Sequence, residues 1–244
     1  MAITAQIVEY RDGDTALSGL LFADGAQQRK RPGLLLVHHG PGLDDHAKAR
    51  SRSFADLGFI VFACDMYGPS ILGNREGIMA FLNEVRNDAA KLCRRAQAGL
   101  DVLRSQPNVD TARLAAIGYC FGGMVVLQMA RAGVEFAGAV SVHGTLSTVL
   151  PAGPGAVKSK ILVCHGALDP HVPMTHVTAF ADEMKQAGAD WRLILYGGAM
   201  HGFTWEKASG LPGVAYNAAA DARSRAAVEN FFSELFGPPE SWNT

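Results

Sequence analysis

Three residues have the types and spacing to carry out nucleophilic chemistry together: Cys120, Asp169 and His201. Cys120 stands in Gly118-Tyr119-Cys120-Phe121-Gly122-Gly123, directly after an apolar run. Small residues on both sides of an apex allow a strand to turn sharply into a helix, because neighbouring backbone must pass close by. The apex side chain then points outward at the amino end of that helix, where the dipole and unpaired N–H groups favour a thiolate. The N–H of Phe121 is placed to donate to an oxyanion developing on an attacked carbonyl. On spacing alone, a small buried cysteine in a glycine turn is also an open reading. Asp169 in "GALDP" alone reads as a helix cap, and His201 in "AMHGF" as a loop histidine. Taken together they say more. Nucleophile, acid and base follow three different strands in chain order, so that His201 takes the thiol proton and Asp169 fixes the imidazole tautomer.

The elements that must position these residues are legible as apolar patterning. "ITAQIVEY" and "ALSGLLFA" alternate around "DGD" as a hairpin. "GLLLVHH" (33–39), "FIVFACD" (59–65), "LAAIGY", "AGAVSVHG", "KILVCHG" and "WRLILYGG" are continuous apolar runs, the mark of strands buried on both faces. Between them the pattern predicts helices at 46–57, 86–105, 121–131 and 174–187, with a closing helix at 217–236. The expected architecture is one α/β domain over 1–244: a mostly parallel sheet of about eight strands, helices on both faces and an antiparallel start. In such sheets functional groups gather at the carboxyl ends of the strands.

Composition narrows the class. A net charge of −1 gives no basic footprint for nucleic acid or anionic membrane. Four cysteines without CxxC spacing are too few for a disulfide framework and indicate neither a zinc ribbon nor a dithiol redox motif. Cys64 and Cys164 read as inert strand residues. The N-terminal residues have neither a basic head nor an apolar core, and no run reaches membrane-spanning length, so the expectation is a soluble cytoplasmic protein. His38, His39, Asp45 and His46 are close in sequence but lack a shared helical spacing, and "DD" reads as an N-cap. No metal and no cofactor are expected.

Over essentially its whole length the sequence resembles the dienelactone hydrolase family of the α/β-hydrolase superfamily. The resemblance is carried by "LLLVHHGPGLDDH", "FIVFACDMYG", "IGYCFGG", "HGALDP", "AMHGFT" and "GVAYNAAADARSRAAVENFF". It implies the α/β-hydrolase fold, a Cys120–Asp169–His201 triad, and a second oxyanion donor at the N–H of Gly40. It implies hydrolysis of a small-molecule ester or lactone through a thioester acyl-enzyme. The rival readings are a thioesterase or other acyl hydrolase on the same fold, and a non-catalytic binding protein.

Two departures matter. The family carries a glutamate at the position of His39, where it interacts with the resting thiol; His39 is therefore a candidate for a different control of that thiol. The arginines with which the family holds a substrate carboxylate are replaced by Pro69 and Trp205, and Gly202 replaces a serine of the same pocket. Neither proline nor indole reproduces a bidentate guanidinium clamp. Tyr67, Tyr119, Phe203 and Trp205 are the expected lining of a more apolar pocket, rimmed by 144–158 and 202–216. Arg75 and Arg86 are expected at the surface of a 69–86 loop, and Tyr216, Asn217 and Asp221 as caps or anchors of the last helix. The oligomeric state is left open.

Overall fold

The computed structural model describes residues 3–25, 29–208 and 210–239. Its elements run β1 (Ile3–Asp12), β2 (Thr15–Asp24), β3 (Arg31–Val37), α1 (Asp45–Asp56), β4 (Ile60–Cys64), α2 (Arg75–Asn87) and α3 (Ala89–Arg104). They continue as β5 (Val109–Tyr119), α4 (Phe121–Arg131), β6 (Gly138–Val142), β7 (Lys160–Gly166), α5 (Met174–Ala187), β8 (Trp191–Tyr196) and α6 (Ala218–Phe236). One eight-stranded sheet has the order β1-β2-β4-β3-β5-β6-β7-β8. The β1–β2 and β2–β4 pairs are antiparallel, and every pair from β4–β3 to β7–β8 is parallel.

Strand alternation divides the apolar residues between two layers. Leu35, Val37 and Ala116 face α3, α4 and α5, whereas Leu34, Leu36, Ala115 and Ile117 face α1 and α6. Both faces are thus covered, as continuous apolar strands require. One ion pair ties a helix to the sheet and another ties two helices to each other. Arg95 of α3 bonds Asp12 at 2.7 Å and the Met66 carbonyl at 3.0 Å. Arg131 of α4 grips Glu183 of α5 at 2.8 and 2.9 Å.

The eight strands and the helices at α1, α4, α5 and α6 lie where the patterning predicts them. The 69–86 loop is a correction: it contains α2, N-capped by Asn74, whose side chain accepts the Gly77 N–H. The helix expected over 86–105 begins at Ala89 instead, because Asp88 ends one helix and caps the next by accepting from Lys91. The strand expected at 114 begins at Val109, after which β3 and β5 pair with a register shift between Pro32 and Gly33. Among the described residues no helix is long and apolar enough to cross a membrane.

Candidate active site

The elbow at Cys120 is a strained turn set by its glycines. Cys120 sits at φ 52° and ψ −113°, a backbone conformation that L-residues rarely adopt and that costs on the order of 1–3 kcal/mol. The crossing of β5 into α4 tolerates no side chain beside it. A Cβ at Gly118 would overlap the Gly122 carbonyl, and one at Gly122 would overlap that of Val37. The Cys120 N–H bonds the Val142 carbonyl at 3.0 Å, fixing the apex to β6.

The loops after β7 and β8 bring the other two residues to this apex. His201 Nε2 lies 3.0 Å from Cys120 Sγ, and His201 Nδ1 lies 2.8 Å from Asp169 Oδ2. The other Asp169 oxygen accepts the N–H groups of His171 (2.8 Å) and Val172 (3.0 Å), so the carboxylate is held on both sides. His201 is anchored by a bridge to Val214 and by its carbonyl, which accepts the Ala215 N–H at 3.1 Å.

Electrostatics follow from this packing. Burial alone would raise the Cys120 thiol, but the hydrogen bond and charge of His201, with the N–H groups of Phe121 and Gly40, outweigh it and hold the thiol below its ordinary range. Burial would lower His201, but Asp169 and the Cys120 sulfur push it up to about 10. For Asp169, burial is likewise overcome by His201 and the two backbone donors, which hold it below its ordinary value. Both shifts favour the thiolate–imidazolium form of the pair, and the Phe121 and Gly40 N–H groups contribute to lowering the thiol.

These groups open into a cavity of about 680 Å³ lined by Gly40, Cys120, Phe121 and His201 on one side. Leu82, Arg86 and Asn87 at the end of α2 line it too, with Met124, Thr145, Thr148 and His176. Arg86, expected at the surface, thus reaches the cavity because α2 carries it there, whereas Arg75 is exposed at the far end of that helix and is absent from the lining.

The aromatic residues expected in the pocket sit elsewhere. Tyr67 is buried: its hydroxyl donates to the Gly40 carbonyl at 2.7 Å, and its ring stacks on Phe121 at 5.9 Å. It braces both residues whose N–H groups face the sulfur. Tyr119 and Phe203 belong to the core under α1 and α6; alternation along β5 turns Tyr119 to that face, and the turn after His201 places Phe203 there. Trp205 lines a separate cavity of about 400 Å³ with His46, Arg50 and Tyr216. His39 also points away from the thiol: its ring packs against His46 and Trp205, and its Nε2 lies 2.9 Å from Asp44.

His143 is a participant that strand patterning hides. It ends β6 at φ 43°, buried, with its ring 5.5 Å from that of His201. Its Nδ1 accepts the Cys120 N–H at 3.2 Å, and Nε2 lies 2.9 Å from Thr204 Oγ1. Burial first, then the charges of nearby histidines, push it well below its ordinary value, so it stays neutral with Nε2 as the donor. Asn217 caps α6, while Asp221 holds Arg50 at 2.7 Å and Arg50 in turn bonds the Thr204 carbonyl, anchoring the 202–216 segment. Of the four residues weighed for a metal, His38 turns to the Met66 N–H and Asp45 to Lys207. The groups that come together are His39, Asp44 and His46.

The dienelactone hydrolase family profile matches residues 17–236. The chain belongs to the dienelactone hydrolase family. It resembles a dienelactone hydrolase-like promiscuous phosphotriesterase from metagenomic libraries at 41% identity, covering 97% of this chain and 100% of the other with a TM-score of 0.90. A second solved structure, m3DLH, is 38% identical over the same shares, also with a TM-score of 0.90. An uncharacterized Caenorhabditis elegans protein is 39% identical over 150 residues, which are 60% of this chain and 95% of that one. This member of the family is a hydrolase of the α/β-hydrolase fold.

Proposed function

We propose that this dienelactone hydrolase family member is a cysteine hydrolase of carboxylic esters and lactones, working through a thioester acyl-enzyme. The observation that carries the reading is the continuous chain Asp169–His201–Cys120 at 2.8 and 3.0 Å, with two backbone N–H groups converging on the sulfur. In the first step the Cys120 thiolate attacks the carbonyl carbon, and the oxyanion forms against the N–H groups of Phe121 and Gly40. The C–O bond breaks and the leaving alkoxide takes the proton of the His201 imidazolium. Neutral His201 then accepts a proton from water, and the hydroxide attacks the thioester. The C–S bond breaks to release the acid and restore the thiolate–imidazolium pair. Asp169 holds the imidazole in the tautomer this cycle requires.

The substrate differs from that of relatives with two arginine clamps. Pro69 and Trp205 stand at those places, and Trp205 faces another cavity. The charged group that lines the reactive cavity from a new direction is Arg86. A second substrate class, phosphotriesters, is favoured by the 41% identical phosphotriesterase; there the same thiolate would attack phosphorus. The free thiol that either reaction needs suits a reducing compartment, and we place the protein in the cytoplasm. The test is turnover of a panel of activated esters, lactones, thioesters and phosphotriesters by wild type and Cys120→Ser. Turnover of esters or lactones that falls away in the variant supports the reading, and equal turnover by both proteins refutes it.

A further inference from the structure

The loop from β3 to α1 gathers three metal-binding side chains that the hydrolytic chemistry leaves unused. One ligand atom from each of His39, Asp44 and His46 lies within 4.8 Å of the others. His39 is buried, with 3% of its surface exposed, and its Nε2 makes no aligned hydrogen bond. Asp44 Oδ1 lies 2.9 Å from that nitrogen, but off the direction its lone pair or N–H would take. Such a close, off-axis separation suits two ligands on one ion. Tetrahedral bonds of about 2.0–2.2 Å place neighbouring ligands about 3.3–3.6 Å apart, so the His39–Asp44 pair opens by a few tenths of an ångström around an ion. The Nδ1 of His46 is also buried without a hydrogen-bond partner. A buried polar atom without an aligned partner costs on the order of 1–3 kcal/mol, and these two belong to rings whose centroids are 4.8 Å apart.

We infer that His39, Asp44 and His46 form a site for a divalent transition-metal ion of zinc's class. Two imidazoles and one carboxylate are a borderline donor set that suits zinc, cobalt or nickel and leaves a fourth position for water. The ligand atoms, all within 4.8 Å of one another, draw closer together when an ion binds. The surroundings fit. His46 Nε2 lies 3.1 Å from Thr204 Oγ1, a partner of the kind that orients a metal-bound imidazole through its other nitrogen. Arg50 Nε donates to His46 Nε2 at 3.5 Å, a long contact that gives way when that nitrogen carries its proton toward Thr204, and Asp221, bound at 2.7 and 2.8 Å, offsets the guanidinium charge. Trp205 packs its ring 5.1 Å from His39, shielding the site on one side. The ion would clip residues 39–46, and with them Gly40, whose N–H faces Cys120. The proposal stands on its own residues and is independent of the reading of Cys120 as nucleophile.

The experiment is calorimetric titration of the chelator-treated full chain with Zn²⁺, paired with the visible spectrum of its Co²⁺ form. Four proteins are compared: wild type, Cys120→Ser, Asp44→Asn and His46→Gln. Asparagine keeps the N-cap of α1, and far-UV circular dichroism verifies that each variant is folded. The expected result is one Zn²⁺ per chain in wild type and in Cys120→Ser, weakened about 10- to 100-fold in the other two. The Co²⁺ form would show no thiolate charge-transfer band. Binding lost in Cys120→Ser, or a thiolate band, would place the ion on the Cys120–His201 pair and overturn the proposal. Stoichiometric binding that is unchanged in both Asp44→Asn and His46→Gln, or no binding by wild type, would overturn it as well.

Discussion

The two walls of the 680 Å³ cavity are built on different principles. The reactive wall comes from strand ends: Cys120 follows β5, Asp169 follows β7 and His201 follows β8. Its side chains are bonded to one another and to backbone, and Tyr67 and His143 brace it from below. The opposite wall comes from α2 and from loops, with Arg86 and Asn87 exposed, and Met79 of α2 half open to solvent. A rigid, strained apex suits a group whose position must be held within a fraction of an ångström. A largely exposed helix packed through one stripe, Ile78, Phe81, Leu82 and Val85, suits a surface that varies with substrate. The difference teaches that chemistry and selectivity here are separable: damage to the first wall should remove turnover, and changes to the second should redirect it.

The largest effects test the first wall. Cys120→Ala and His201→Ala should each lower kcat/KM for an activated ester by roughly 1,000- to 10,000-fold while leaving the far-UV spectrum unchanged. The pH dependence of Cys120 alkylation should come next. The thiol is held below its ordinary value, so the acid limb of alkylation by iodoacetamide should lie at lower pH than that of a free thiol, with reactivity declining as pH falls through the lowered value. His201→Ala should move this acid limb upward, toward the ordinary thiol pKa of about 8.5. Turnover should also fall as pH rises through about 10, where His201 loses the proton it gives to the leaving group. Tyr67→Phe removes the bond to the Gly40 carbonyl. It should lower kcat about tenfold with KM little changed, since an oxyanion donor is loosened rather than removed.

Smaller effects test the second wall and its neighbours. Arg86→Ala should raise KM about three- to tenfold for an ester bearing a carboxylate and leave a neutral ester's KM unaltered. Equal change for both substrates would mean that Arg86 only shapes the cavity. His39→Ala in chelator-treated protein should leave the alkylation profile superimposable on that of wild type, because the imidazole faces Asp44 and Trp205. A shifted acid limb would return His39 to control of the thiol.

The same contrast governs what the sequence could reveal. The strand ends were legible because each functional residue follows a continuous apolar run, and the sheet's alternation leaves few places for it to point. The glycines around Cys120 also encode a geometric necessity, since a side chain at Gly118 or Gly122 has no space. The second wall lacked such marks. Ile78, Phe81, Leu82 and Val85 do carry a helical stripe, but it spans two turns, and with Pro69, Gly73 and the Asn74 cap before it the segment reads equally well as a loop. Tyr119 and Phe203 read as pocket residues, but alternation along β5 and the turn after His201 place them in the opposite core. The role of Tyr67 depends on a backbone carbonyl contributed from 27 residues away, and that of His143 on a φ of 43°, and neither leaves a trace in residue type. His39, Asp44 and His46 share no helical spacing, and a loop brought them together.

The central claim is that Cys120 is acylated during turnover. The most direct measurement is intact mass, with peptide mapping, after millisecond acid quench of the enzyme mixed with a slowly deacylating activated ester. A mass increase equal to the acyl group, located on the peptide carrying Cys120 and lost on continued incubation at the rate of turnover, is the predicted result. Turnover with no adduct, or with the acyl group on another residue, would contradict the account.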